Sequence, residues 1–173
     1  MITYVLILSQ TFPAFHSRKG CPTDFRTALN DALKCARCRR NPKGMCMGEC
    51  VIGYYKRHTI RENYDLWAKR FEEIAAGKAV LSIRQWVGKP YGKGSTQQRI
   101  ALLTKEDDIG IERLEFEDGD IRRPLIDGRS FYHISQIAAN DGLSQKDWLD
   151  WFRYSDLSKP MAIIHFTNYR YNR

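Results

Sequence analysis

Apolar residues in this chain come in short runs rich in β-branched and aromatic side chains, and none approaches the roughly 20 residues needed to cross a bilayer. Residues 2 to 9 (Ile-Thr-Tyr-Val-Leu-Ile-Leu-Ser) are too apolar for an exposed edge and too short for a long helix, which predicts a buried first strand. Residues 79 to 86, 98 to 104, 109 to 116, 130 to 138 and 161 to 169 read as further strands, with Asp118-Gly119 and Asp127-Gly128 as turns. Strands at such short intervals predict a twisted sheet or a small β-barrel. Three stretches carry helical spacing instead. Phe25, Ala28, Leu29, Ala32 and Leu33 share a helix face after Thr23-Asp24; Leu66, Trp67, Phe71 and Ile74 define a helix that Gly77 stops; Ser144 caps one bearing Trp148, Leu149, Trp151 and Phe152, with Asp147 at its third position. The expectation is one α+β domain over residues 1 to 173, a small barrel flanked by helices.

At 173 residues the chain is long enough to bury a core without disulfides. The amino terminus lacks a basic leader and a cleavage site, so it is read as a strand and not as a signal peptide. The expected compartment is the cytoplasm, with no membrane partner, and its thiol pool keeps cysteines reduced. The net charge is +8 and is unevenly spread: residues 26 to 70 hold eleven Lys or Arg against four Asp or Glu, while 105 to 120 are mostly acidic. Lysines and arginines that neutralise phosphates release counterions, so a basic face favours RNA, a nucleotide or DNA.

Cys35, Cys38, Cys46 and Cys50 form C-x2-C-x7-C-x3-C around a loop with Asn41, Pro42 and Gly44. Four thiolates at this spacing can wrap one tetrahedral zinc at Zn–S distances of about 2.3 Å. Arg37, Arg39, Arg40 and Lys43 would offset the site's negative charge and offer contacts to nucleic acid. An iron–sulfur cluster or ordinary buried thiols are the alternatives, and Cys21 could stand in for one ligand. Residues 35 to 50 are thus read as a zinc-binding insertion, with zinc structural because four thiolates complete its coordination.

The insertion leads into Gly53 to Asn63. His58 to Arg61 alternate in polarity, which predicts a strand with Thr59 and Arg61 on one face. A guanidinium beside a hydroxyl, with Lys56 three residues upstream, suits an anionic or carbonyl-bearing ligand; a solvated basic edge is the plain alternative. Lys56 converges with Thr59 only if the strand begins after it. Arg84, on the strand 79 to 86, could add a further cation to a substrate. Lys89, Tyr91 and Lys93 in a glycine-containing turn could touch nucleic acid, although an exposed hairpin loop explains them as well. His165 reads as a structural histidine.

In order, the chain shows an apolar first strand, a helix, Lys56-x-x-Thr59-x-Arg61, a run of strands, Asp141-Gly142-Leu143-Ser144 opening a helix, and a last strand Ala162-Ile163-Ile164-His165-Phe166. This order resembles the ASCH domain family. The resemblance implies a PUA-like β-barrel and an RNA-related role. One bacterial branch of that family hydrolyses the acyl amide of N4-acetylcytidine with a lysine and a threonine of the same motif and an acidic residue before the late helix. By resemblance the catalytic positions are Lys56, Thr59 and Asp141, with Arg61 beside them; that branch has glutamate where this chain has the shorter Asp141.

Amide hydrolysis needs a nucleophile, a group to take its proton, and donors for the oxyanion. Thr59 or a water could attack, Lys56 or Asp141 could act as base, and Arg61 could bind a phosphate, a carbonyl or the oxyanion. Three readings follow. The first is a module that binds nucleic acid or a nucleotide in the Lys56, Thr59, Arg61 pocket. An amidohydrolase acting on acylated cytosine nucleosides is the second. The third, a ribonuclease, has no dedicated carboxylate pair for a divalent metal to support it.

Overall fold

A computed structural model describes residues 1 to 36 and 55 to 172. In chain order the elements are β1 (Ile2–Ile7), α1 (Phe25–Ala36), β2 (His58–Arg61), α2 (Tyr64–Ala75), β3 (Ala79–Val87), β4 (Thr96–Leu103), β5 (Gly110–Phe116), β6 (Pro124–Ile126), β7 (Arg129–Ser130), α3 (Ile134–Asn140), α4 (Gln145–Phe152) and β8 (Met161–His165). The architecture is α+β, as expected. Among the described residues, however, the strands form two sheets and not a closed barrel: β1-β3-β4 and β2-β8-β5-β6-β7. β1 runs parallel to β3, from Ile2 opposite Ala79 to Ile7 opposite Arg84, and every other pairing is antiparallel. The sheets stay apart because β1 and β2 are edges that form no ladder with each other. A side chain spans the gap, the Arg61 guanidinium donating from Nη2 to the Ile7 carbonyl at 2.7 Å.

The helices form where apolar spacing and caps agree. All five apolar residues expected on the face of α1 are buried. In α2, Trp67, Phe71 and Ile74 are buried, and the Asn63 side chain accepts from the Leu66 N–H at 3.1 Å to satisfy one otherwise orphaned donor. Gly77 follows with φ +72°, a left-handed turn in which glycine pays no Cβ penalty. Ser144 caps α4 by accepting from the Asp147 N–H at 3.1 Å, and Trp148 beneath it is wholly buried. The strand expected over 130 to 138 is corrected: only Arg129–Ser130 pair, and Ile134–Asn140 are helical. The aromatic and β-branched run Phe131, Tyr132, Ile134 suggested a strand. What decides is that Ile134, Ile137 and Ala138 are buried while Ser135 and Gln136 are exposed, a period of three to four and not two.

β8 is buried along its whole length because it lies between β2 and β5. Two charged-type residues are buried there together. The Glu112 carboxylate of β5 faces His165 Nε2 at 2.7 Å and accepts the backbone N–H groups of Tyr171 at 3.1 Å and Asn172 at 3.3 Å. His165 is thus structural, as its position implied, and Glu112 ties the carboxyl-terminal segment to the sheet. Burial alone would raise the Glu112 pKa, but the hydrogen bonds and charge of His165 and the two backbone donors outweigh it and hold the group below its ordinary 4.5.

A carboxylate held below its unfolded value contributes stability that is present above that value and lost as pH falls through the folded one. Thermal unfolding followed from about pH 6 to about pH 3 should therefore show a fall in Tm that is reduced in Glu112→Gln. At neutral pH, Glu112→Ala should cost about 3 kcal/mol in denaturant titrations, since it removes the partner of the buried His165 ring and of two part-buried backbone donors. A cost under about 0.5 kcal/mol would show that the tail is held by other contacts.

Candidate functional site

Lys56 and Asp141, 85 residues apart, form an isolated antiparallel bridge that joins the chain before β2 to the end of α3. The Lys56 N–H donates to the Ala28 carbonyl of α1 at 3.1 Å, the Arg57 N–H to Asn140 at 2.7 Å, and the Phe166 N–H to Arg57 at 2.8 Å. One dipeptide thereby clips α1, α3 and the end of β8 together. The Lys56 side chain then turns inward. Its Nζ donates to Asp141 Oδ1 and to the Asp141 carbonyl, both at 2.6 Å, and lies 3.9 Å from the centre of the Phe25 ring. The carbonyl is one that α3 leaves without a helical partner, and a cation there also complements the helix dipole. Lys56 is 1% exposed and Asp141 3%.

Gly142 makes this approach possible. Its φ is +79°, and a Cβ there would meet Lys56 Cβ at 3.3 Å and Phe25 Cδ1 at 3.4 Å. The Asp-Gly-Leu-Ser stretch thus does two jobs, supplying the carboxylate and clearing space for the lysine that reaches it.

Burial governs the electrostatics. It lowers the Lys56 pKa from the ordinary 10.5, with the Arg61 charge adding to the shift and Asp141 opposing it. It raises the Asp141 pKa from 3.8 against the pull of Lys56, Arg61 and the Trp148 indole. The Trp148 N–H makes no full hydrogen bond, so its influence is the smallest of these. Desolvation draws the two values toward each other, and that is the condition under which a proton can pass between an amine and a carboxyl group.

Thr59 sits on β2 opposite Ile164 of β8 and is 3% exposed. Its hydroxyl makes no hydrogen bond among the described residues, and none joins it to the Lys56–Asp141 pair. Arg61, two residues on, is half-buried; besides the Ile7 carbonyl it donates to that of Ile60 at 3.0 Å. Arg84 is on the other sheet, beside Ile7 in the parallel register, where its Nε donates to Ser82 Oγ at 3.0 Å. No hydrogen bond or ion pair among the described residues links it to the pair. Cys35 lies in the last turn of α1; Cys38, Cys46 and Cys50, and Arg37, Arg39, Arg40 and Lys43 with them, lie outside the described residues. Among the described residues, no group of three His, Cys, Asp or Glu is placed to hold a metal, and no helix is long and apolar enough to cross a membrane.

The structure adds residues that sequence reasoning passed over. Phe25 was read only as core, yet its face covers the ammonium; Gly142 was read only as part of the stretch that opens the late helix. Arg57, whose Nη1 donates to Asn140 Oδ1 at 2.8 Å, fixes the residue before the carboxylate. On the α1 side of Gly142 lies a cavity of about 510 Å³ whose lining includes Asp24, Asp31 and Asp147, with Arg18 already engaged by Asp147 at 2.8 Å. That lining repels phosphate.

Removing one partner of a buried ion pair leaves an uncompensated charge, at a cost of about 3–5 kcal/mol, whereas the intact pair adds little net stability. Lys56→Met and Asp141→Leu should each lose about 3–5 kcal/mol in chemical denaturation, and the double variant clearly less than the sum. Strict additivity would mean that the two groups do not interact in solution. No protein-family model matches the chain, and neither a curated protein nor a solved structure matches it.

Proposed function

We propose that the chain is an ASCH-like protein of RNA-related metabolism that hydrolyses the acyl amide of an N4-acylated cytosine nucleoside, with Lys56 and Asp141 as its proton-handling couple. The observation that supports this reading is the 2.6 Å contact between Lys56 Nζ and Asp141 Oδ1 in a site almost closed to water. A module that only binds needs donors; it does not need an amine and a carboxyl group whose pKa values are drawn together. The one-methylene shortening from glutamate is offset by the bridge between residues 56 and 141, which brings the two backbones side by side. In this reading the two sheets are an open form of the PUA-like β-core.

The chemistry follows from the groups. The hydroxyl of Thr59 or of a water attacks the acyl carbon, and Lys56, as the neutral amine, takes its proton. The negative charge that forms on the carbonyl oxygen is met by Arg61. The proton held by Lys56 then passes to the exocyclic nitrogen as the C–N bond breaks and cytidine leaves; when water attacks, the carboxylic acid is released in the same step, and when Thr59 attacks, the acyl group stays on its oxygen as an ester until a water, giving its proton to the neutral Lys56 amine, hydrolyses it to the acid and regenerates the hydroxyl. Asp141 orients Lys56 and stabilises it as the ammonium.

Incubation with N4-acetylcytidine should yield cytidine and acetate, read by chromatography. Loss of the base should reduce turnover roughly 10²–10⁴-fold in Lys56→Ala, with Thr59→Ala and Asp141→Asn also impaired and circular dichroism confirming that each folds. Because the base must be neutral, kcat/KM should fall as pH falls through a lysine pKa lying below 10.5. Turnover that survives in both Lys56→Ala and Thr59→Ala would end this assignment.

A second reading, RNA or nucleotide binding without turnover, draws on the +8 charge and on Arg37, Arg39, Arg40 and Lys43. Structural zinc on Cys35, Cys38, Cys46 and Cys50 belongs with it, since it would fasten the basic segment that enters Lys56. Both ideas can be tested on one preparation. Metal analysis without added metal should find about one zinc per chain, and RNA affinity should fall steeply with salt and with neutralisation of the four basic residues. Metal-free protein, or salt-independent binding, would count against the respective idea.

A further inference from the structure

Of the four residues in the motif-based site, Arg61 is the one that reaches open space, and the space it reaches is aromatic. A cleft of about 530 Å³ is lined by Arg61 and Glu62 together with Phe15, Trp67, Trp151 and Tyr154. We propose that this cleft holds the heteroaromatic base of a nucleoside. The inference rests on the reading of the Lys56–Asp141 centre as one that meets a nucleoside.

Three observations carry it. The first is the wall. Phe15 and Tyr154 meet edge to face at 5.7 Å and are 41% and 72% exposed, so two large rings stand at the rim with much of their surface open. Both are tied to one guanidinium: Arg153 donates to the Phe15 carbonyl and stacks over Tyr154 at 4.7 Å. Rings held this way offer stacking area without the entropy cost of ordering them on binding.

The second is the polar pair in its lining. The hydrogen bonds of Arg61 engage Nη1 and Nη2, leaving further guanidinium donors, and Glu62 beside it is an acceptor. A donor next to an acceptor matches a heteroaromatic base, which carries both a ring carbonyl and N–H groups. A bare phosphate would be repelled by Glu62, and an alkylammonium group by Arg61.

Third, the cleft is joined physically to the proposed centre from two sides. Trp151 packs on Phe25 at 5.7 Å, and the same Phe25 ring lies against Lys56 Nζ at 3.9 Å. Arg61, on the other side, is close enough for its charge to act on both Lys56 and Asp141. A base in the cleft therefore lies against the shell of the ion pair.

The test is calorimetric titration of the full chain with cytidine, with ribose 5-phosphate as a probe lacking the base. Cytidine should bind and ribose 5-phosphate should not. Phe15→Ala and Tyr154→Ala, at exposed positions that leave the core intact, should each weaken cytidine roughly tenfold; Trp151→Phe should weaken it less than Trp151→Ala. The inference is overturned if cytidine does not bind, if ribose 5-phosphate binds as tightly, or if both rim variants leave the Kd of cytidine unchanged. Assaying N4-acetylcytidine hydrolysis on the same proteins separates the two ideas. Hydrolysis indifferent to both rim variants removes the cleft and spares the activity, whereas rim-dependent cytidine binding without hydrolysis removes the activity and spares the cleft.

Discussion

A lysine that is 1% exposed has to be answered by a charge or lose its own, and in this protein the answer comes from a residue 85 positions away. The Lys56–Asp141 contact therefore fixes more than a local geometry. For the two groups to meet, α1 must present the Ala28 carbonyl, α3 must end at Asn140, and residue 142 must lack a side chain. Dry ion pairs are poor sources of net stability, since desolvation offsets most of the attraction. What this one contributes is a penalty on every arrangement in which the two segments do not meet.

The same penalty explains why the pair is chemically interesting. Burial acts in opposite directions on the two groups, down for the amine and up for the carboxyl. In water their proton affinities differ by many orders of magnitude; in this setting they approach each other. The elements that create the setting are ordinary. Phe25, Trp148 and Leu143 are core side chains in helices and turns whose apolar spacing requires them to be inside.

Much of this was legible from the residues. The face of α1 could be read position by position because five apolar residues keep helical spacing with no competing signal, and the start of α4 because Ser144 and Asp147 fit one known cap. Lys56 and Asp141 were paired by the family resemblance alone, and the short β2 shows that Lys56 lies outside the alternating strand. Residues 130 to 138 misled because β-branched and aromatic side chains favour strands only where a neighbouring strand is available, and among the described residues none pairs past Ser130. The two separate sheets were hidden for a related reason: strand spacing reports local extension and says nothing of which edges meet. The covering role of Phe25 left no trace in sequence, because a ring that covers an ammonium and a ring that fills a core occupy the same kind of position.

Arg61 spans the boundary between the sheets, donating to the Ile7 carbonyl where no ladder exists. That single donor is a seam, and a guanidinium is a group that ligands with carbonyl or carboxylate oxygens compete for. Behind that seam, α2 packs on β3 of one sheet and on β5 and β8 of the other. The halves of the molecule are therefore held by a shared helix as well as by one donor, and the guanidinium donors that the two carbonyls leave over can be engaged without unpicking the seam.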